Sequence, residues 1–343
     1  MQRARIAVAT QEKTPELTAD DRLALDLLLK EEGIAVEAIP WSRPGTDWSG
    51  FAAVLIRNTW DYHRHLEAFR AWAREVEASG AKLWNPAAVV AWNSEKTYLR
   101  DLEAAGIPIV PTRWVEKDEA TSLAALLAEP GWAEVVVKPT VSASAYRTWK
   151  IAQAKAEAHQ QDFEALLADS GAMIQPLLPE VRNDGEWSFL FFRQDGALAF
   201  SHAVLKKPAE GDFRVQSELG GSAIHQDPPA ELLEQIQRLV TTAAKIAPGP
   251  LLYARIDGVV SQGQNAPAGS FLLMELELIE PFLFLGCCDA AARNFAAAVG
   301  SVLAEPCLKA ELLAPRKKVA SLPVLDERAP EEILDDDEQG LPS

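Results

Sequence analysis

Within the first 95 residues, four short apolar runs alternate with two amphipathic segments, and no other feature constrains the fold as much. Ile6–Ala9, Ala35–Ile39, Ala53–Ile56 and Lys82–Trp84 have the length and apolar character of buried strands. Between them, residues 17–32 place Leu23, Leu27 and Leu28 at helical spacing ahead of Gly33, and residues 66–78 form a second such segment before Gly80. Strands separated by helices pair in parallel through right-handed crossovers, so the front of the chain is expected to be an α/β unit. No Gly-x-Gly-x-x-Gly follows the first strand, which removes the dinucleotide fingerprint.

The pattern then changes. Ser94 is the expected N-cap of a helix through Ala105 that Gly106 ends. Extended segments are expected at 110–115, 135–139 and 172–175, with helices at 123–128 and 162–168. Residues 187–192 and 198–205 read as a hairpin joined at Asp195-Gly196. A helix over 230–246, strands over 251–260 and 270–278, and a helix over 290–303 complete the body. Domains of ordinary size divide the 343 residues at 1–94, 95–176 and 177–308, with 309–343 as an acidic tail. Asp326 to Glu338 carries eight acids against Arg328 alone, so this tail is expected to be disordered and to hold seven of the seventeen net negative charges.

The acidic balance excludes a nucleic-acid binder, which needs a basic face, and argues against an anionic membrane surface. No apolar run approaches the roughly 20 residues that span a bilayer. The opening residues read as a strand rather than a secretory leader, and a cytoplasmic location is expected. Cys287, Cys288 and Cys307 match no zinc or redox spacing and are expected to be reduced.

The residues that carry chemistry lie near the C-terminal end. Arg255 and Asp257 are two apart on one expected strand, and Glu275 and Glu277 are two apart on the next, so each pair shares a face. Paired strands would gather Asp257, Glu275 and Glu277 around one point beside Arg255. Three carboxylates so placed repel unless a cation sits among them, and Mg²⁺ with phosphate oxygens fits such a set. Alternating charge also describes a solvent-facing strand, and the pattern alone leaves both readings open. Lys138 ends the apolar run Val135-Val136-Val137, where an ammonium needs an anion. A small, hydroxyl-rich loop, Thr140 to Tyr146, follows it, and its amides suit a polyphosphate. Lys96 opens the helix after Asn93; either lysine alone is equally a surface ion-pair partner.

In this order, the lysine near 96, the Lys138-Pro139 strand end, Gln175-Pro176-Leu177-Leu178-Pro179-Glu180, Arg255-x-Asp257 and Glu275-x-Glu277 before Pro281 resemble an ATP-grasp enzyme. The likeness runs over about residues 1–305 and is strongest to the glutathione synthetase-like branch and its D-cycloserine ligase-like proteins. It implies an α/β fold: a half-Rossmann-like N-terminal domain followed by a two-lobed α+β ATP-grasp body. It implies ATP phosphates on Lys96 and Lys138 under a loop containing Ser142 and Ser144, and adenine against Gln175, Pro176, Leu177 and Leu178. It implies Glu186 near the ribose, Arg214 in the loop over the acceptor, Arg255 on the transferred phosphoryl group, and Mg²⁺ on Asp257, Glu275 and Glu277. Two Mg²⁺ ions are expected, with Mn²⁺ as a substitute. Glu277 stands where the family often has Asn, and the phosphate loop is Ser-Ala-Ser-Ala where glycine is common.

Arg57, Asp61 and Tyr62 follow the third strand, at the sheet end where open α/β folds bind ligands, and are expected to hold an amino-acid-like substrate; an Asp-capped turn is the other reading. His63 and His65 lack a third ligand and read as surface residues, and Trp92 as packing. The implied activity is an ADP-forming ligase that phosphorylates a carboxylate, or another carbonyl oxygen, and lets an amine displace phosphate, between two molecules or by ring closure. The alternative is a non-catalytic nucleotide-binding regulator or scaffold. The expected partner is a small molecule, with no nucleic acid and no membrane; a homodimer is an allowed assembly.

Overall fold

The computed structural model describes residues 5–128, 131–143, 145–209, 214–215 and 220–304. Cys307, Ser144 and the acidic tail lie outside the described residues.

The front of the chain forms β1 (Arg5–Thr10), α1 (Ala19–Leu27), β2 (Ala35–Pro40), β3 (Ala53–Ile56), α2 (Leu66–Ala78) and β4 (Lys82–Trp84). All four strands pair in parallel in the order β2-β1-β3-β4. Thr18 caps α1 by accepting from the Asp21 amide at 3.0 Å. The first helix is shorter than its sequence pattern: it ends at Leu27 and continues as a π-turn over Leu28–Glu32, closed by Gly33 in the left-handed region.

Ser94 does not start a helix. Pro86 opens α3 (Ala87–Asn93), whose Val89 and Val90 are buried, and Ser94 caps its C-terminus. The apolar faces of Val89 and Val90 take the helix N-terminally, and α4 (Tyr98–Ala104) begins only after a turn. Lys96 therefore sits in a turn between two helices, where its backbone amide donates to the Thr140 carbonyl at 2.7 Å.

The second lobe comprises β5 (Arg113–Val115), α5 (Leu123–Ala128), β6 (Glu134–Pro139), β7 (Trp149–Ala152), α6 (Gln160–Leu167) and β8 (Ala172–Pro176). Its strands pair antiparallel in the order β5-β8-β6-β7. After α7 (Pro179–Asn183) come β9 (Glu186–Gln194), β10 (Ala197–Lys207), β11 (Ser222–His225), α8 (Ala230–Ile246), β12 (Tyr253–Val260), β13 (Phe271–Glu277) and α9 (Asp289–Ala304). The five-stranded antiparallel sheet runs β11-β10-β9-β12-β13. Asp195 and Gly196, both at positive φ, form its tight hairpin turn, as the dipeptide predicts. Strand β7, helix α7 and strand β11 carry too few periodic residues to be foreseen.

One face of this sheet is core: Phe189, Phe191, Ala254, Ile256, Leu276 and Leu278 are buried in the cluster that includes α8. The other face holds the polar residues in rows across strands. Val204, Ser188, Asp257 and Glu275 are successive cross-strand partners, and His202, Leu190, Arg255 and Glu277 form the adjacent row. A bulge at Met274 shifts the β12–β13 register between Asp257 and Gly258. It explains why Leu273 joins Leu276 and Leu278 in the core although it is two residues from Glu275. Gly258 is obligatory at this point, because a Cβ there would lie 2.2 Å from the Leu272 carbonyl oxygen.

Candidate active site

The polar rows form the floor of a cavity of about 850 Å³ that takes wall residues from all three sheet-containing parts. Trp60 and Tyr62 come from the front unit, Lys138 and Gln175 from the second lobe, and Arg255 and Glu275 from the last. Trp92 packs against the core beside Tyr98, as expected.

Arg255 organises the floor. Its Nη2 donates to Asp257 Oδ2 at 2.9 Å and also to Glu277, while Nη1 donates to the Phe282 carbonyl at 3.0 Å. Asp257 Oδ1 further accepts from Ser188 Oγ at 2.5 Å. Lys206 Nζ lies 2.5 Å from Glu186 Oε1 and 3.5 Å from Asp257 Oδ2. Lys96 Nζ is bonded to Glu275 and donates to the Ser142 carbonyl at 3.3 Å. The sequence places three carboxylates around one point; the structure puts them on one wall but turns each onto a cation. Among the described residues no group of three or more His, Cys, Asp or Glu is arranged to hold a metal.

The titration shifts follow these partners. Burial raises the Asp257 carboxyl, but Arg255 and Lys206 outweigh it and hold the group below the usual carboxylate range. Burial likewise opposes ionisation of Glu275, and Lys96 outweighs that. Glu277 shares Arg255 with Asp257, and burial together with Glu275 and Asp257 pushes it up to about 7. Lys138 has no ion pair among the described residues, and burial lowers the pKa of its ammonium. Glu280 is pushed up to about 8, first by burial and then by Glu277.

This donor set fits a hard divalent cation. It offers only oxygen ligands, Asp257 and Glu275 are cross-strand partners, and Glu277 stands beside them sharing one guanidinium with Asp257.

The remaining expected residues separate into those that line the cavity and those that do not. Lys96, Lys138, Ser142, Gln175, Pro176, Leu177, Leu178, Glu186 and Arg214 line it, as does Tyr62. Arg57 and Asp61 do not. Arg57 is buried, with Nε on Asp21 Oδ1 at 2.7 Å and Nη2 on the Pro281 carbonyl at 2.8 Å, between Tyr253 and Phe295. Asp61 accepts from Trp41 Nε1 at 2.9 Å. Each of the two side chains has a partner inside the fold, and Arg57 Nη1 is buried without one among the described residues. His63 is half-buried rather than a surface residue, with its ring 5.0 Å from that of Tyr146. Cys287 and Cys288 are free and half-buried, and burial pushes the Cys287 thiol up to about 12.

Sequence reasoning missed Lys206, Ser188 and Glu280. The hairpin offered a signal for Lys206, since counting outward from Asp195-Gly196 brings Lys206 beside Glu186. A bulge between Phe200 and His202 then shifts the register by one to make them direct partners.

Comparison with known proteins agrees with this architecture. Residues 6–85 match the family described as D-cycloserine synthetase DcsG, N-terminal domain. The chain is 32% identical over 286 residues to the cycloserine biosynthesis protein DcsG of Streptomyces lavendulae, covering 79% of this chain and 90% of that protein. It superposes on the crystal structure of D-cycloserine synthetase DcsG with a TM-score of 0.74 at 27% identity, over 88% of this chain and 100% of that one. The fold is also that of D-alanine–D-alanine ligase from Bacillus anthracis, complexed with ATP (TM-score 0.59, 14% identity, 87% of this chain and 94% of that one). The chain belongs to the DcsG family, has the fold of the ATP-grasp ligases, and is an ADP-forming ligase of that class.

Proposed function

We propose that this ligase closes a ring within one small amino-acid-derived molecule, with the product of the DcsG relatives, D-cycloserine, as the leading candidate. The observation that carries the reading is the gathering of Lys96, Lys138 and Arg255 with three carboxylates on one cavity wall. That set suits phosphoryl transfer to a carboxylate and contains no nucleophilic side chain.

D-cycloserine opened by water is O-amino-D-serine, so ring closure joins its carboxyl carbon to its own aminooxy nitrogen. The carboxylate takes the γ-phosphoryl group of ATP and ADP is released. The nitrogen then attacks the acyl phosphate, loses a proton, and expels phosphate. Lys138 and Lys96 bind ATP phosphates, and Arg255 holds the transferring group by its forked donors. In this reading Lys96 exchanges Glu275 for phosphate, which frees that carboxylate. Asp257, Glu275 and Glu277 would then hold divalent metal, two Mg²⁺ with Mn²⁺ as substitute, which supplies neutralisation of phosphoryl charge. Gln175, Pro176, Leu177 and Leu178 bound the adenine end. Glu186 is kept for the ribose, with Lys206 tying it to Asp257. Ser142 and Ser144 belong to the loop over the phosphates, and Arg214 to the loop over the acceptor; closing both excludes water from the acyl phosphate. Tyr62 is the front-unit residue left for substrate contact.

The parts 1–94, 95–176 and 177–308 act as substrate unit, small lobe and large lobe of a cytoplasmic enzyme. A homodimer is an allowed assembly in this reading. The test is incubation with Mg·ATP and O-amino-D-serine, read by ADP release and by a product lighter by one water. ADP release with D-alanine alone and none with the aminooxy compound would replace ring closure by intermolecular ligation.

A further inference from the structure

The cavity wall contains one carboxylate that the phosphoryl-transfer machinery leaves unused. Lys96 lies on Glu275, Arg255 on Asp257 and Glu277, and Lys206 on Glu186. Lys138 and Glu280 also line the wall and stand outside this pairing. Lys138 is a cation without a counter-ion among the described residues, which ATP phosphate satisfies. Glu280 is a carboxyl group with no ion pair or hydrogen bond to another described residue, and no phosphate can satisfy it. A cation beside it would hold it ionised.

Its backbone is fixed. The Glu280 carbonyl accepts from Trp60 Nε1 at 3.2 Å, and the next carbonyl, that of Pro281, accepts from Arg57 Nη2 at 2.8 Å. Ile279, on the other side, is buried in the front unit's core. The side chain is thus presented to the cavity from a segment clamped on both flanks. Trp60, Tyr62, Phe282 and Phe284 line the cavity around it, and such walls exclude water and favour an organic ammonium over a hydrated metal ion. Two residues on, the Phe282 carbonyl accepts from Arg255 Nη1 at 3.0 Å. That bond ties the segment carrying Glu280 to Arg255, whose guanidinium holds the phosphoryl group passing to the substrate carboxylate, and in an α-amino acid the ammonium sits two bonds from that carboxylate carbon.

We infer that Glu280 receives the α-ammonium group of the substrate and selects α-amino acids over their deaminated analogues. The assignment rests on the ligase reading above and adds the chemical class that the acceptor end of the cavity takes.

The experiment compares the intact protein with Glu280→Gln and Glu280→Asp, using two compounds that differ only in the α-amine: O-amino-D-serine and 3-(aminooxy)propanoate. Wild type should prefer the first at least tenfold in kcat/KM for ADP release. Glu280→Gln should abolish that preference through KM, with KM for ATP within twofold, and Glu280→Asp should restore part of it. A preference that survives Glu280→Gln overturns the assignment. So does an effect confined to the Mg²⁺ requirement, which would make Glu280 a metal ligand. Should wild type release no ADP with either compound, ring closure fails by itself. Calorimetry of D-alanine against propanoate, with AMPPNP and Mg²⁺, then decides the role of Glu280. Tenfold weaker D-alanine binding in Glu280→Gln supports it; equal binding, or no D-alanine binding to wild type, overturns it.

Discussion

Lys138→Met should move two measurements in opposite directions. The ammonium is half-buried at the end of β6, has no counter-ion among the described residues, and is pushed towards its neutral form by burial. Without nucleotide it is a charge that folding has partly desolvated for no return. Methionine keeps the length and removes the charge, so the nucleotide-free protein should gain about 1 kcal/mol, at the low end for an unsatisfied charged group because the residue is only half-buried. For a chain of this size that raises Tm by roughly 1–2 °C. Nucleotide binding should weaken by the loss of a charge-assisted hydrogen bond, about 1.5–3 kcal/mol, or roughly 10- to 150-fold in Kd. Calorimetric titration with AMPPNP and Mg²⁺, beside a thermal melt without ligand, reads both. Unchanged affinity would refute the placement of phosphate at Lys138, and a lower ligand-free Tm would mean that the lysine has an internal partner after all.

Three other residues give further outcomes. Asp21→Ala strands Arg57, 3% exposed, without its carboxylate and should cost about 3–5 kcal/mol in urea unfolding, while Asp21→Leu with Arg57→Met should recover most of the loss; equal costs would refute the buried pair. Removing Glu275 would relieve carboxylate repulsion in the sequence reading, but in the structure it deprives Lys96 of its partner, so Glu275→Gln should lower the metal-free Tm and abolish ADP formation; a higher Tm contradicts the pair. His202 is buried; its Nε2 donates to the Leu283 carbonyl at 2.9 Å, which leaves Nδ1 as the neutral acceptor of Ser201 Oγ–H. Burial lowers its pKa to about 4, below the unfolded value near 6.5, so the unfolded chain binds the extra proton. This contribution is complete above pH 6.5 and is lost as pH falls towards 4, up to ~3 kcal/mol. Urea unfolding of wild type and His202→Gln at pH 7.5 and 5 should show the gap between them shrinking in acid; a pH-independent gap contradicts this.

The elements with strong local signals were legible. Apolar runs and helical periodicity located all four front strands and their parallel pairing, because a strand followed by a crossover helix has one favoured hand. Asp195-Gly196 located a hairpin because few other dipeptides tolerate two positive φ angles. Arg255 with Asp257, and Glu275 with Glu277, were readable as two same-face pairs because side chains in a strand repeat every second residue.

Partner choice was not legible. The sequence alone determined which residue types stand on which face, and hence an acidic and basic wall suited to phosphate and metal. Only the tertiary structure decided that Arg57 closes on Asp21 instead of facing the cavity, that Lys206 meets Glu186, and that Glu280 pairs with no cation among the described residues. Those outcomes depend on contacts between residues 20 to 224 positions apart and on one-residue bulges at Met274 and between Phe200 and His202. A bulge leaves no periodic trace, since it is a single break in a two-residue repeat, yet it resets which side chains lie opposite each other along the rest of the strand.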